Sequence, residues 1–192
     1  MTRGPAPAAD EIPATDAPQL RLPASPGIWA LAAVAATGSC VVVVERSGAN
    51  SAAAEDCFFA CVLVVLSVVD LDRHLLPNRI LLPAIATLGV AELAVSPAGG
   101  LSRVVWAAVI FAALLVPALV YPAGLGMGDV KLGFFLGLGL GRNVVSALVV
   151  GLLAAAFVGL LVVARFGRAG RKAPLPLGPF LALGALATLL AS

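Results

Sequence analysis

The composition of this 192-residue chain is that of an integral membrane protein. Hydrophobic residues make up 61% of the sequence and charged residues only 11%, with a mean hydropathy of +1.07. Soluble domains are about 45–50% apolar and about 25% charged. The net charge of +2, with no basic stripe interleaved with aromatic residues, argues against a nucleic-acid partner and leaves the lipid bilayer as the expected environment.

The first segment of the chain, residues 1–27, differs from all that follows. It is rich in Pro and Ala, carries three acidic residues and has no apolar periodicity, which predicts a disordered N-terminal tail. No compact basic region precedes Ile28. We therefore predict that Ile28 to Val44 is an uncleaved first span rather than a signal peptide, and that residues 28–192 form one transmembrane domain.

Six further apolar stretches follow, and most approach the roughly 17–25 residues that a tilted helix needs to cross a bilayer. They run from about Cys57 to Val69, Ile80 to Val95, Val104 to Val120, Val130 to Leu140, Val144 to Ala164 and Pro174 to Ala191. The stretch beginning at Val130 is short. It is either a full span extended by its flanks or a helix that starts below the membrane surface. The sequence thus predicts an all-α polytopic bundle of about six or seven transmembrane helices.

The distribution of cations predicts the orientation of these spans. One set of loops collects most of the basic residues, namely Arg73, Arg79, Lys131, Arg165, Arg168, Arg171 and Lys172, whereas the opposite set holds Arg46, Arg103 and Arg142. The positive-inside rule places the first set in the cytoplasm. Asp70 and Asp129, which are separated by two spans, then both face the cytoplasm.

These two aspartates are the candidate catalytic residues. Each lies at the end of an apolar run, where an ionisable group is costly and functional by default. Two carboxyl groups that meet at one edge of a bundle suit aspartyl peptidase chemistry, because one activates water while the other holds the proton. We expect Asp129 to be the base, because the start of a helix and the nearby Lys131 favour its ionised form, although such a pair titrates as a unit. This chemistry requires no metal and no cofactor.

Neighbouring residues also have simpler interpretations. Asp129 could be a helix N-cap, and the segment from Asp70 to Asn78 could be only a polar turn between spans. Lys131 is expected either to face lipid headgroups or to pair with an aspartate. His74 is expected in a solvated loop, without a catalytic role. Glu92, inside the third span, could be a buried, protonated acid with a role in the site, but we expect it to lie near the external end and to reach the interface.

The order of the motifs is more specific than any single residue. Asp70-Leu71-Asp72 precedes Leu76-Pro77-Asn78; two spans later comes Gly126-Met127-Gly128-Asp129-Val130-Lys131-Leu132, and Pro-Leu-Gly-Pro-Phe-Leu-Ala-Leu-Gly follows from Pro176 to Gly184. Over roughly Cys57 to the C-terminus, this arrangement resembles the prepilin peptidases, also called type IV leader peptidases.

The resemblance implies roles for individual residues. The family pattern places its first catalytic aspartate seven residues before the proline, which is Asp70 here, and its second at Asp129. Asp72 then becomes an accessory acid. The other motif positions are supporting residues: Gly126, Gly128, Lys131, Pro77 and Asn78.

The resemblance also implies an activity. It is that of an intramembrane aspartyl endopeptidase of the GxGD type, which removes a short basic leader from type IV prepilin or pilin-like precursors at the cytoplasmic face of the inner or plasma membrane. Longer members carry an N-methyltransferase insert whose zinc site uses two Cys-x-x-Cys pairs. Here Cys40, Cys57 and Cys61 cannot form that site. The chain therefore resembles the short, peptidase-only form, for which no metal is predicted.

Two other functions remain as alternatives. A transporter or channel would use intramembrane acids in an ion path, and it predicts inverted repeats or acids near the midplane, neither of which is evident in the sequence. Another GxGD-type protease, of the presenilin or signal-peptide-peptidase kind, would pair Tyr-Asp with Leu-Gly-Asp and Pro-Ala-Leu. In this chain Val69 precedes Asp70, and the late motif is Pro-Leu-Gly-Pro.

Overall fold

The computed structural model describes residues 26–73, 76–121, 125–166 and 176–191, and within these ranges the chain is helical with no strand. The α-helices are α1 (Pro26–Ser47), α2 (Ser51–Arg73), α3 (Asn78–Val95), α4 (Pro97–Val120), α5 (Met127–Leu140), α6 (Val144–Phe166) and α7 (Gly178–Ala191). A 3-10 turn, Gly141–Asn143, joins α5 to α6. The predicted all-α fold is confirmed.

Five stretches of the described chain are long and apolar enough to cross a membrane. They are Gly27–Arg46, Ser51–Asp72, Asn78–Val95, Pro97–Val120 and Met127–Arg165, the last of which contains both α5 and α6. Helix α7 is apolar but has only 14 residues. Helix α5 also has 14 residues, or about 21 Å, so the expected short fifth helix is present. The chain is therefore a polytopic membrane protein.

Several helices extend beyond the apolar runs that predicted them. Helix α2 begins at Ser51, where the Asn50 side chain accepts a hydrogen bond from the Ala53 N–H at 2.8 Å and caps the helix. Helix α4 begins at Pro97, the first helical position, where proline is favoured. Helix α1 includes residues 26 and 27, the last two of the predicted tail. Residues 1–25 and His74 lie outside the described residues.

Helix α5 lies at the centre of the bundle, in contact with α2, α3, α4, α6 and α7. From Phe135 to Leu140 every residue is buried. The ring of Phe135 packs against that of Phe59 on α2, with centroids 5.1 Å apart. A helix buried on all sides must be apolar all round, and a core helix of this kind holds its first residues, including Asp129, in a fixed place.

Glycines allow α5 to approach α4 closely. A Cβ atom added at Gly133 would lie 3.2 Å from Ile110 Cγ2, and one added at Gly137 would lie 2.8 Å from the backbone nitrogen of Ala107. The spacing of these glycines predicts such packing, because small residues four apart let helix backbones meet. The contact leaves no space for a side chain at either position.

Helix α7 packs against α6 in the same way. A Cβ atom at Gly151 would lie 2.8 Å from the carbonyl oxygen of Phe180, and one at Gly184 would lie 2.7 Å from the backbone nitrogen of Gly151. Helix α7 also contacts α2. These contacts fix the first turn of α7 beside the last turns of α2.

Candidate active site

Asp70 is buried near the end of α2, with only 5% of its surface exposed. Its Oδ2 atom accepts a hydrogen bond of 3.0 Å from the backbone N–H of Gly178, the first residue of α7. A buried carboxyl group is costly unless it is hydrogen-bonded. The start of α7 supplies that hydrogen bond from a position 108 residues away in sequence.

Asp129 lies in the first turn of α5, at the third helical position, and Gly126 is the N-cap. The Gly126 backbone donates a hydrogen bond to the Asp129 carboxyl group. The Asp129 N–H in turn donates to the Gly126 carbonyl at 3.0 Å. This is the acidic half of a capping box. The simpler interpretation of Asp129 as the N-cap residue itself is therefore wrong by three positions, although Asp129 does stabilise the helix start.

The structure brings Asp70 and Asp129 together. Asp129 is half-buried, and its carboxyl group interacts electrostatically with that of Asp70. Asp70 lies near the end of α2 and Asp129 at the start of α5. The Gly178 N–H at the start of α7 donates a hydrogen bond to Asp70. Two acids in one partly desolvated site oppose each other's ionisation, so they favour sharing a proton. This arrangement can position a water molecule between a base and an acid.

The supporting residues connect the starts of α3 and α5. Lys131 Nζ donates a hydrogen bond of 2.9 Å to Asn78 Oδ1, so its partner in the structure is the motif asparagine. Pro77 is the N-cap of α3. A Cβ atom at Gly128 would lie 3.0 Å from the Cβ of Leu76, so glycine is needed there for the close approach. The two sequence motifs thus meet in space.

Asp72 lies on another face of α2 from Asp70, because two residues turn an α-helix by about 200°. It lines a groove of about 340 Å³ that Trp29, Pro77 and Arg79 also line. Asp70 points instead toward Gly178 and Asp129. The two acids of the Asp-Leu-Asp motif thus lie on different faces of α2, and Asp70 is the one with which Asp129 interacts electrostatically.

A second buried acid lies near the end of α3. Glu92 is only 4% exposed, as in the alternative interpretation of a buried acid, but its partner is Arg103 of α4 and not the aspartate pair. Arg103 also donates to the carbonyl oxygen of Gly139 at 3.0 Å. Opposite charges on the two sides of the α3–α4 turn are the sequence signal that would have predicted this ion pair.

The cysteines occupy α1 and α2. The sulfur atoms of Cys40 and Cys61 are 3.8 Å apart, and Cys57 lies on the same face of α2. Within the part of the chain that the structure describes, no group of three or more His, Cys, Asp or Glu residues is arranged to hold a metal ion. Metal-independent chemistry stays a prediction.

The part of the chain that carries both aspartates is similar to known proteins. Residues 57–164 match the sequence model of the type IV leader peptidase family. The prepilin leader peptidase/N-methyltransferase of Bacillus subtilis (strain 168) is 32% identical over 129 residues, covering 67% of this chain and 52% of that protein. The protein of the same name from Burkholderia pseudomallei (strain 1026b) is 34% identical over 167 residues, covering 83% and 52%.

No solved structure gives a significant match. The chain spans about half the length of the curated relatives it matches. The family match includes most of α2, all of α3 to α5 and most of α6, and therefore both Asp70 and Asp129, and it ends before α7. Because more than half of its residues lie within that match, the chain belongs to the type IV leader peptidase family.

Proposed function

We propose that this chain is an intramembrane aspartyl endopeptidase that removes the short basic leader from type IV prepilin or pilin-like precursors. The observation that carries the proposal is the meeting of Asp70 and Asp129 in one partly buried site. Membership of a leader peptidase family supports cleavage as the reaction. The names of the relatives support precursors of the prepilin type as substrates.

The mechanism needs one proton shared between two carboxyl groups. The ionised aspartate takes a proton from water, and the resulting hydroxide attacks the scissile carbonyl carbon. The protonated aspartate donates a hydrogen bond to the carbonyl oxygen as negative charge develops there. The tetrahedral intermediate then collapses, and a proton passes to the leaving amine. Asp70 and Asp129 exchange these roles as a coupled pair.

The position of the pair suits a substrate cut next to an apolar segment. Both aspartates lie at helix ends, and α5, which carries Asp129, is about 21 Å long, against the roughly 30 Å of a bilayer core. A short helix of this kind supports entry of water at one membrane face. We propose that this face is cytoplasmic, on the basis of the distribution of Arg and Lys between the two sets of loops.

Isosteric substitution of single aspartates tests the proposal. Asp70→Asn and Asp129→Asn should each lower cleavage of a precursor with a basic leader on the order of 1,000-fold or more, because each removes half of the acid–base pair. Asp72→Asn is the matched control, since it makes the same change two residues from Asp70 on another face of α2. It should keep most of the activity.

Two outcomes would count against this assignment. Full activity in Asp70→Asn would remove Asp70 from the mechanism, and loss in Asp72→Asn alone would exchange the two residues. Normal insertion of every variant, measured by membrane fractionation, is needed before the rates are compared.

The proposed orientation has its own test. Single cysteines replacing Gly48, His74, Gly99 and Gly170, in a chain without its native cysteines, should divide into two pairs when intact cells are treated with an impermeant thiol reagent. Gly48→Cys and Gly99→Cys should label from outside, and the other two should not. External labelling of His74→Cys without labelling of Gly170→Cys would remove the geometric basis of the two-aspartate site and reopen the transporter alternative.

A further inference from the structure

Gly178 lies so close to Asp70 that a side chain at position 178 would displace the Asp70 carboxyl group. A Cβ atom built at Gly178 would lie 2.7 Å from Asp70 Oδ2, 3.1 Å from Cγ and 3.3 Å from Cβ. Among the described residues, positive φ angles occur at Gly48 and Gly141, so backbone conformation does not explain a glycine at position 178. The contact with the carboxyl group does explain it.

The hydrogen bond between them comes from a helix terminus. The Leu177 carbonyl accepts the N–H groups of Phe180 and Leu181 at 3.1 Å each and so begins α7. The N–H of Gly178 is one of the first N–H groups of the helix, which have no acceptor within it. Asp70 Oδ2 fills that place at 3.0 Å. A carboxylate at this position also meets the positive end of the helix dipole.

Close packing against α6 holds α7, which donates this hydrogen bond, in place. Its backbone approaches that of α6 at Gly151 and Gly184 so closely that neither position has space for a Cβ atom. Leu181, Ala182 and Ala185 of α7 are buried in the core. The first turn of α7 therefore cannot shift without disturbing the packing of α6, and Asp70 is held against a fixed N–H group.

We infer that Gly178 is a positioning residue for Asp70: its N–H holds Oδ2 and so fixes the rotation of the carboxyl group toward the proton shared with Asp129. The inference rests on the proposed function. It assigns a role to α7, which lies beyond the residues matched by the family model. A misplacement of about 1 Å at a catalytic group costs on the order of 100-fold in rate, so this contact has kinetic consequences.

Gly178→Ala tests the inference in the full chain. The new methyl group keeps the N–H but displaces the carboxyl group, so kcat for precursor cleavage should fall on the order of 100-fold. KM should not change, because substrate binding does not use this contact. A defect of packing alone would instead lower the folded fraction and leave kcat per folded molecule unchanged.

Two control variants separate positioning from packing. Gly100→Ala, on the α3–α4 hairpin away from α7, would place a Cβ atom 2.7 Å from the backbone carbonyl oxygen of Glu92 and should lower the unfolding temperature without changing kcat per folded molecule. Gly89→Ala should be neutral in both measurements, since its Cβ would meet only Leu138 Cδ1 at 3.8 Å. A normal kcat in folded Gly178→Ala would overturn the inference.

A second change removes only the hydrogen bond. Replacing residue 178 by glycolic acid through semisynthesis of the C-terminal segment converts the amide to an ester, which has no N–H and adds no side chain. Cleavage should slow on the order of 10-fold, as for a lost hydrogen bond to a charged group. An unchanged kcat in the ester overturns the inference even if Gly178→Ala does not fold.

Failure of the inference is distinguishable from failure of the proposed function. The unmodified chain and Asp70→Asn are measured in the same assay on a precursor with a basic leader and an apolar segment. Cleavage by Asp70→Asn at the normal rate contradicts the proposed function itself. Cleavage that depends on Asp70 but is indifferent to both changes at position 178 contradicts only the positioning role.

Discussion

A buried acid lies near each end of α5, Glu92 at one end and Asp70 at the other. The partner of Glu92 is a cation, whereas the partner of Asp70 is another acid. At the end near Gly139, Glu92 faces the guanidinium of Arg103, which also donates to a backbone carbonyl. At the other end, about 15 Å away along the helix, Asp70 faces Asp129, and backbone N–H groups of Gly178 and Gly126 hold the two carboxyls.

The difference indicates which end has a chemical role. A buried acid paired with a cation is accounted for by helix association, because each charge offsets the desolvation of the other. Two acids placed beside each other oppose folding. The stabilisation of a helix start accounts for Asp70 and for Asp129 singly but not for their proximity. Groups that violate the rules of stable packing concentrate at functional sites. The contrast predicts that substitutions at the two ends separate stability from activity.

The largest effect on stability is expected at the ion pair. Arg103→Met leaves Glu92 buried without its cation and should lower the free energy of unfolding by about 3 kcal/mol, with cleavage per folded molecule retained. The measurement is unfolding in mixed micelles. Adding Glu92→Gln to Arg103→Met should restore most of the loss, and Arg142→Met, which changes an exposed arginine, should be nearly neutral. A loss of kcat in folded Arg103→Met would show that the two ends are coupled.

A smaller effect of opposite sign is expected at the aspartate pair. Asp70→Asn keeps a side-chain oxygen that accepts the Gly178 N–H and removes a charge beside Asp129. Its free energy of unfolding should equal that of the unmodified chain or exceed it by about 1 kcal/mol, as is common when a functional group is neutralised. Glu92→Gln, the same kind of change at the other end, should destabilise. Clear destabilisation by Asp70→Asn would mean that this carboxyl is structural as well.

The sequence predicted those parts of the molecule that follow from local composition and motif order. Apolar runs predicted every helix, because a membrane-spanning segment must be apolar along most of its length. The helix ends were predicted less well, since polar residues such as those at the start of α2 extend a helix beyond its apolar run. The motif pair predicted that the end of α2 and the start of α5 meet, and the structure joins them.

Contacts between distant segments were not predictable in the same way. The Glu92–Arg103 pair is the intermediate case, because opposite charges 11 residues apart across a hairpin are a sequence signal, but one that hydropathy does not use. The hydrogen bond from Gly178 to Asp70 spans 108 residues. The late Pro-Leu-Gly-Pro motif marks position 178, but it does not show that the backbone N–H donates to Asp70, because every residue except proline has such a group. Such contacts depend on how α7 packs on α2 and α6, which the sequence pattern leaves open.

A double-mutant cycle on the two aspartates tests the central claim most directly. Rates of precursor cleavage are measured under single-turnover conditions for Asp70→Asn, Asp129→Asn and the double variant, each corrected for its folded fraction. If the two carboxyls act as one unit, each single variant should lose as much activity as the double variant, as groups that share one catalytic step do. If either single variant keeps near-normal activity, or if the two losses multiply in the double variant, the two aspartates do not form one catalytic site. Either result would contradict the proposed aspartyl peptidase mechanism.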